Sequence, residues 1–347
     1  MNAKTKIYAT IGPASYHTEL LVKMINKGMD GIRINLSHGN IDKYEKWFNN
    51  LRQAEKTTGK SVSVLADIQG TEIRTGLLPD KTIALHTGNE ITILPVSSKN
   101  NKSAKKSGVH NRKIYVNYPE LANVLKPEQI VLIDDGLIKL KVRKIKNNKI
   151  TCHILRGGLL GEKKGVNLPG VTLKLPVLRN KDKKDIINGI QLGIDYLMVP
   201  FTRSRADVNL IRNFLDSNNG NKVGILAKIE NQEGIDNIHH YIKHVEGIIL
   251  ARGDLGVEIG LAKVPLVQKK IINICRSYNK KAIVATDMLK TMTTSPLPSR
   301  AEVSDNANAV LDGSTGIMVT GETAVGKYPV EVIDMLSEII KETEKNI

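Results

Sequence analysis

Apolar residues along the chain fall into short runs that alternate with stretches of helical spacing. Residues 6–11 form a first β-type run closed by Gly12 and Pro13, and residues 18–26 follow with Leu21, Val22 and Ile25 on one helical side. Gly28 stands just past that helix, where a left-handed cap is expected. The same alternation predicts strands at 31–36 and 61–68 with a helix at 40–57 between them. After an interruption it returns. Strands are predicted at 196–201, 223–229, 247–251, 282–286 and 316–320, and helices at 180–192, 205–217, 234–243, 261–279, 299–312 and 329–345. Pro265 falls in the first turn of its helix, the one place where a missing N–H is harmless. Eight strands, each followed by helical material over roughly 250 residues, predict an α/β fold of the (β/α)8 TIM-barrel type.

The interruption has a different rhythm. Short β-type runs at 81–85, 90–94, 113–115, 130–133, 137–142 and 149–154 are separated by turn signals such as Thr87-Gly88-Asn89 and Asp134-Asp135-Gly136. The division expected is therefore a discontinuous barrel, 1–75 and 174–347, with an all-β lid domain, itself a small barrel, inserted after strand 3 at 76–173. A lysine-rich run at 99–106 reads as a solvated loop. The glycines of 157–170, with Lys163 and Lys164 among them, read as a hinge or lid edge that seeks phosphate.

Polar residues gather at the carboxyl ends of the predicted barrel strands, where enzymes of this architecture keep their chemistry. Arg33, Asp67, Lys228, Asp254, Thr286 and Thr320 all fall there, and Glu230 lies just beyond the run that carries Lys228. Gly253 and Gly256 free backbone amides to approach an anion. Glu230 and Asp254 are hard oxygen ligands for Mg²⁺ or Mn²⁺. Asp67 with Asn35 and Ser37 makes an oxygen-rich pocket without a soft ligand, suited to a monovalent or weakly held ion. Zinc spacing, the phosphate-binding GxxxxGK[ST] loop and a Ser-His-Asp arrangement are all absent from the sequence. Cations, a metal and a closing lid suffice for phosphoryl transfer, which asks little covalent chemistry of a protein.

Composition narrows the rest. The chain has 347 residues, 41% of them apolar, and no run near the ~20 residues of a membrane span. Its formal charge of +16 admits nucleic acid as well as small anions, yet aromatics make up only 4%, too few for stacking platforms. Small anionic substrates, with neither nucleic acid nor membrane as partner, are the expectation. Two distant cysteines, Cys152 and Cys275, and no signal-peptide core suggest the cytoplasm.

A series of motifs adds a resemblance. TKIYATIGPAS at 5–15, GIRINLSHG at 31–39, DIQGTEIRTG at 67–76 and IDDGL at 133–137 are followed by KKGVNLPG at 163–170 and AKIENQEG at 227–234. GIILARGDLGVEI at 247–259, RAEVSDNANAVLDG at 300–313 and TGETAVGKYP at 320–329 complete the set. In this order and over nearly the whole chain, they resemble the pyruvate kinases, which move the phosphoryl group of phosphoenolpyruvate to ADP in the last step of glycolysis. The resemblance implies a phosphotransferase in which Glu230 and Asp254 hold Mg²⁺ or Mn²⁺, and Asn35, Ser37, Asp67 and the carbonyl of Ile68 hold K⁺. It implies that Lys228 and Arg33 serve the phosphoryl group, and that Gly253, Asp254 and Thr286 seat the substrate carboxylate. Asn35, His38, Arg74 and Lys164 are assigned to the nucleotide, and Thr286 and Thr320 to protonation of the enolate. Glu72 matches the K⁺-dependent members.

The sequence also departs from the family's pattern. It stops after the eighth barrel helix, where the family carries a C-terminal effector domain, so allosteric control is expected to be absent and assembly to reach at most a homodimer through the barrel. Asp287 replaces a glutamine and is expected to raise the Michaelis constant; Thr71 replaces a proline and Thr320 a serine. The alternatives weighed are a catalytically weak phosphoenolpyruvate-binding relative, a metal-dependent carbon–carbon lyase and a basic nucleic-acid binder.

Overall fold

The computed structural model describes residues 4–36, 41–78, 80–96 and 113–347. It divides into two compact units: one formed by the described parts of Met1–Gly70 with Pro176–Leu255 and Ala262–Ile347, the other by Thr71–Leu175 with Gly256–Leu261. The first unit opens with strands β1 (Lys6–Thr10), β2 (Gly31–Asn35) and β3 (Ser63–Asp67). Helices Thr18–Lys27 and Ile41–Thr58 connect them. Gly28 ends the first helix in the left-handed conformation at φ 114°, as a residue without Cβ allows.

The second unit carries β4 (Thr82–Leu85), β5 (Glu90–Pro95), β6 (Lys113–Val116), β7 (Ile130–Ile133), β8 (Ile138–Lys146), β9 (Lys149–Arg156), β10 (Gly158–Gly161) and β11 (Val166–Asn167). Where the sequence suggested a small barrel, the described strands form two sheets: six strands in the order β11-β7-β8-β9-β5-β6, and the pair β10-β4. The break comes at Gly157, whose backbone passes so close to the carbonyl of Leu85 that a Cβ would stand 2.0 Å from it. The chain can thus leave β9 and run back along β4. Ile91, Ile93, Val131, Leu140, Val142, Cys152 and Ile154 form this unit's own core.

The first unit resumes with β12 (Tyr196–Val199), β13 (Gly224–Ile229), β14 (Gly247–Ala251), β15 (Lys281–Ala285) and β16 (Gly316–Val319). All its pairings are parallel, and β16 closes on β1 with Lys6 opposite Gly316, giving a ring of eight strands. Apolar strands such as β14, buried at every position, are what a sheet covered on both faces requires. Tyr8, Leu65, Met198, Leu226, Ile249, Ile283, Ala285 and Met318 fill the barrel as one cluster. Among the described residues no helix is long and apolar enough to cross a membrane.

Two helical stretches differ from the sequence expectation. The single helix expected at 234–243 is two short ones, Gln232–Asp236 and Ile238–Tyr241, and the stretch following β14, where Asp254 was expected at a strand end, is a helix, Arg252–Ile259. Its glycines argue against helix by propensity, so the sequence pattern concealed it.

Candidate functional site

Side chains in a strand alternate between faces, so the residue two beyond a barrel-filling residue points the same way, one layer nearer the mouth. Three of the filling residues are followed in this way, still within their strands, by polar groups. Thr10 stands above Tyr8, Asp67 above Leu65 and Lys228 above Leu226. The barrel's interior thus ends in a polar layer at the carboxyl ends of its strands.

That layer is tied together by charge. Arg33 donates from Nε and Nη2 to Asp67 Oδ2 at 2.9 and 2.6 Å, and from Nη1 to Thr10 Oγ1 at 3.2 Å. Lys228 Nζ lies 2.8 Å from Glu230 Oε1 and 3.5 Å from Asp67 Oδ1. The second oxygen of Glu230 accepts the Phe201 N–H at 2.7 Å. Asp67 and Glu230 are only 3% and 2% exposed. Two cations, each 14% exposed in its side chain, and two buried carboxylates balance formally in one cluster, which is how buried charge is tolerated. Burial alone would push the Lys228 ammonium down, but the carboxylates of Asp67 and Glu230 outweigh it and raise its pKa above the ordinary lysine value. The ammonium is therefore firmly charged at neutral pH.

A second group of predicted residues meets beside β14 and β15. Gly253 lies against Thr286; a Cβ on it would come within 3.0 Å of Thr286 Cγ2. Thr286 and Asp287 both have left-handed backbones, with φ of 80° and 54°, an uncommon state for residues with a Cβ. Arg252 holds this turn. It donates to the Thr286 carbonyl at 2.9 Å from Nη2, while Nη1 pairs with Asp305 at 2.8 Å. Asp254 sits half-buried in the first turn of helix Arg252–Ile259. Asp287, whose charge the sequence reading set near the substrate, pairs with Lys290 at 3.1 Å, both of them exposed.

Thr320, which directly follows β16, is held by a carboxylate that the sequence reading passed over. Glu322, 2% exposed, accepts the Thr320 N–H at 2.7 Å and its hydroxyl at 3.3 Å on one oxygen, and the Leu289 N–H at 3.1 Å on the other. It thereby joins the loop after β16 to the loop after β15. Its position two residues past a strand end was the available signal; Arg252 had a similar one.

Glu230 and Asp254, the sequence's candidates for a divalent ion, would offer it two carboxylates; among the described residues no group of three or more His, Cys, Asp or Glu side chains gathers. That suits Mg²⁺, which keeps several waters and takes one or two carboxylates plus substrate oxygens. Each Glu230 oxygen carries one donor contact and has lone-pair capacity to spare. For a monovalent ion the fit is more direct. Asp67 Oδ1 is buried without a hydrogen-bond partner, and Asn35 is the register partner of Asp67 across β2 and β3. Ile68, buried, follows at once. Ser37 and His38 lie outside the described residues.

Arg74 and Lys164 belong to the second unit. Arg74 pairs with Glu72 at 2.5 Å and donates to the Lys163 carbonyl at 2.8 Å. Lys164 pairs with Asp134 at 3.0 Å, and its N–H donates to Thr75 Oγ1 at 2.9 Å. Both cations are about two-fifths exposed, at 42% and 41% of their side chains.

The family described as "Pyruvate kinase, barrel domain" matches residues 2–333. A pyruvate kinase of Geobacillus stearothermophilus is 41% identical over 347 residues, which is 99% of this chain and 58% of that protein. One from Sporosarcina psychrophila is 42% identical over 346 residues, with 99% and 58% covered. A third, from Clostridium perfringens, is 38% identical over 344 residues, covering 99% of this chain and 71% of its own length. The chain thus spans about 58% of the length of the first two relatives.

Proposed function

Because the chain belongs to the pyruvate kinase family, we propose that it transfers the phosphoryl group of phosphoenolpyruvate to ADP, yielding pyruvate and ATP, with Mg²⁺ or Mn²⁺ and K⁺ as cofactors. The observation that carries this reading is the mostly buried Lys228 ammonium, set between Glu230 at 2.8 Å and Asp67 at 3.5 Å at the barrel mouth. A parallel strand has no structural need of a lysine there, and an in-flight phosphoryl group needs fixed positive charge.

The residues divide the work as follows. Lys228 and Arg33 bring two cations to the equatorial phosphoryl oxygens, where charge builds in the transition state. The amides of Gly253 and Asp254 open helix Arg252–Ile259 and present its positive end to the substrate carboxylate, with the Thr286 hydroxyl beside them. Glu230 and Asp254 would hold the divalent ion, which when bound draws negative charge from the substrate's carboxylate and enolate oxygens. Asn35, Ser37, Asp67 and the Ile68 carbonyl would hold K⁺. Departure of the phosphoryl group leaves an enolate that takes its proton at carbon. Thr320, whose own hydroxyl proton is directed to Glu322, would order the delivering water by accepting a hydrogen bond from it. Arg74 and Lys164, with His38, are assigned to the nucleotide phosphates on the family likeness.

The test is a lactate dehydrogenase-coupled assay on this chain. Pyruvate should appear only with phosphoenolpyruvate, ADP and a divalent ion together, and more slowly when K⁺ is replaced by tetramethylammonium. Folded protein that gives no turnover under these conditions would overturn the proposal.

A further inference from the structure

The end of β2 is held by side chains that the reaction itself does not use. Leu36 is tied on both sides of its backbone: its N–H donates to the Asp67 carbonyl at 2.9 Å, and its carbonyl accepts from Lys181 Nζ at 2.7 Å. One residue earlier, the Asn35 carbonyl accepts from the Tyr44 hydroxyl at 3.1 Å. Lys181 Nζ is steered in turn by Asp185, at 2.5 Å. The carbonyls of Asn35 and Leu36 are therefore both held by side chains of the covering helices.

Lys181 stands at an unfavourable place for a lysine. It is the second residue of helix Asn180–Leu192, whose amino end carries positive partial charge and disfavours a cation. From there it reaches a carbonyl 145 residues away in sequence. A bond from an ammonium is shorter and stronger than one from a neutral donor, so it holds the peptide more firmly. Leu36 directly follows Asn35, and its N–H bonds the carbonyl of Asp67, so it adjoins two of the residues of the pocket of Asn35, Asp67 and Ile68. A pocket for a monovalent ion has little charge to work with, and its affinity depends on oxygens fixed in place before the ion sheds its water.

We infer that Lys181 is a positioning residue for the monovalent-cation pocket: by pinning the Leu36 carbonyl, with Tyr44 pinning that of Asn35, it preforms the oxygen cage at the ends of β2 and β3. This rests on the reading of that pocket as the K⁺ site. Lys181 touches no reacting group, so its loss should be felt in ion affinity and hardly at all in turnover once the ion is saturating.

The molecule contains its own reporter. Trp47, the one tryptophan in the sequence, packs edge-on to Tyr44 with ring centroids 6.1 Å apart. K⁺ titrations at constant ionic strength, balanced with tetramethylammonium, should be followed by Trp47 fluorescence and separately by coupled activity. They should be run on the natural chain, Lys181→Met, Lys181→Arg and Tyr44→Phe. Removing a charge-assisted bond should raise the K⁺ midpoint of Lys181→Met about tenfold in both readouts, with turnover at saturating K⁺ within about twofold. Lys181→Arg should restore most of the affinity. Tyr44→Phe, which loses one hydroxyl and keeps the packing, should shift the midpoint a few-fold the same way and stands in if Lys181→Met fails to fold. A natural chain whose fluorescence and activity both ignore K⁺ sinks the pocket assignment. A K⁺-responsive natural chain with an unshifted Lys181→Met, or an unshifted Tyr44→Phe where the former does not fold, sinks the positioning role alone.

Discussion

At the scale of single residues, the decisive feature is a lysine kept charged in a mostly buried place. Removing Lys228 takes away the cation proposed to serve the phosphoryl group and leaves the carboxylates of Asp67 and Glu230 without their shared partner. Lys228→Met should therefore lower kcat/KM by about a thousandfold or more, measured by coupled assay on protein whose fold is checked by circular dichroism. The loss should be flat between about pH 6 and 9, because the pKa of Lys228 is raised and no titration of this group falls in that window. The sign for stability follows from the same shift. A cation whose folded pKa exceeds its ordinary 10.5 stabilises the fold fully below that value and loses the contribution as pH climbs through the folded pKa. The sequence showed Lys228, Glu230 and Asp67 at strand ends; it did not show that Asp67 lies between Arg33 and Lys228. Those residues come from three strands, and only barrel closure sets their side chains in one layer.

Elements show a similar division. The helix expected at 299–312 is present as Arg300–Leu311, and its start was legible because it has a local mechanism. Ser299 accepts the Glu302 N–H at 3.3 Å, and Glu302 returns the contact to the Ser299 N–H at 2.8 Å, a complete capping box. Ser299→Ala should cost about 1 kcal/mol of unfolding free energy, read from denaturant midpoints. Glu302 does more than cap, since its other oxygen accepts the Thr291 N–H at 2.7 Å. Burial pushes its carboxyl up, but these backbone and hydroxyl donors outweigh it and hold the pKa below the ordinary 4.5. The stability this gives is complete above pH 4.5 and drains away as pH falls through the lower folded value. Glu302→Gln should accordingly flatten the acid limb of the stability profile; an unchanged limb would show that the contact contributes nothing. Helix Arg252–Ile259, by contrast, has no such local signature. A Cβ at Gly253 would crowd the Thr286 methyl at 3.0 Å, a demand made from the turn after a strand some thirty residues later.

For the whole molecule, the chain's two compact units each contain one cysteine in a core. Cys152 lies on β9 of the second unit and Cys275 in helix Val264–Ser277 of the first, both fully buried. Burial pushes each thiol up to about 12, so neither is a thiolate at neutral pH. Native protein should resist a disulfide-exchange reagent at both sites. Across a urea series, mass-resolved labelling should give two separate transitions, one for each core, because a unit with its own apolar cluster can open by itself. A single coincident transition would show instead that the two units unfold as one.

The sequence by itself determined the eight-strand rhythm, the β-rich interruption and the set of polar residues at strand ends. Each of these is written in spacing a few residues long, or in motifs that lie intact along the chain. Tertiary structure alone decided which of those residues are partners: Asp67 shared by Arg33 and Lys228, Glu322 holding Thr320, Arg252 holding the turn at Thr286, and Lys181 reaching the Leu36 carbonyl. The reason is physical. Periodicity is a property of neighbours, whereas a hydrogen bond or ion pair between distant segments exists only once a closed ring of strands has brought them within 3 Å or so.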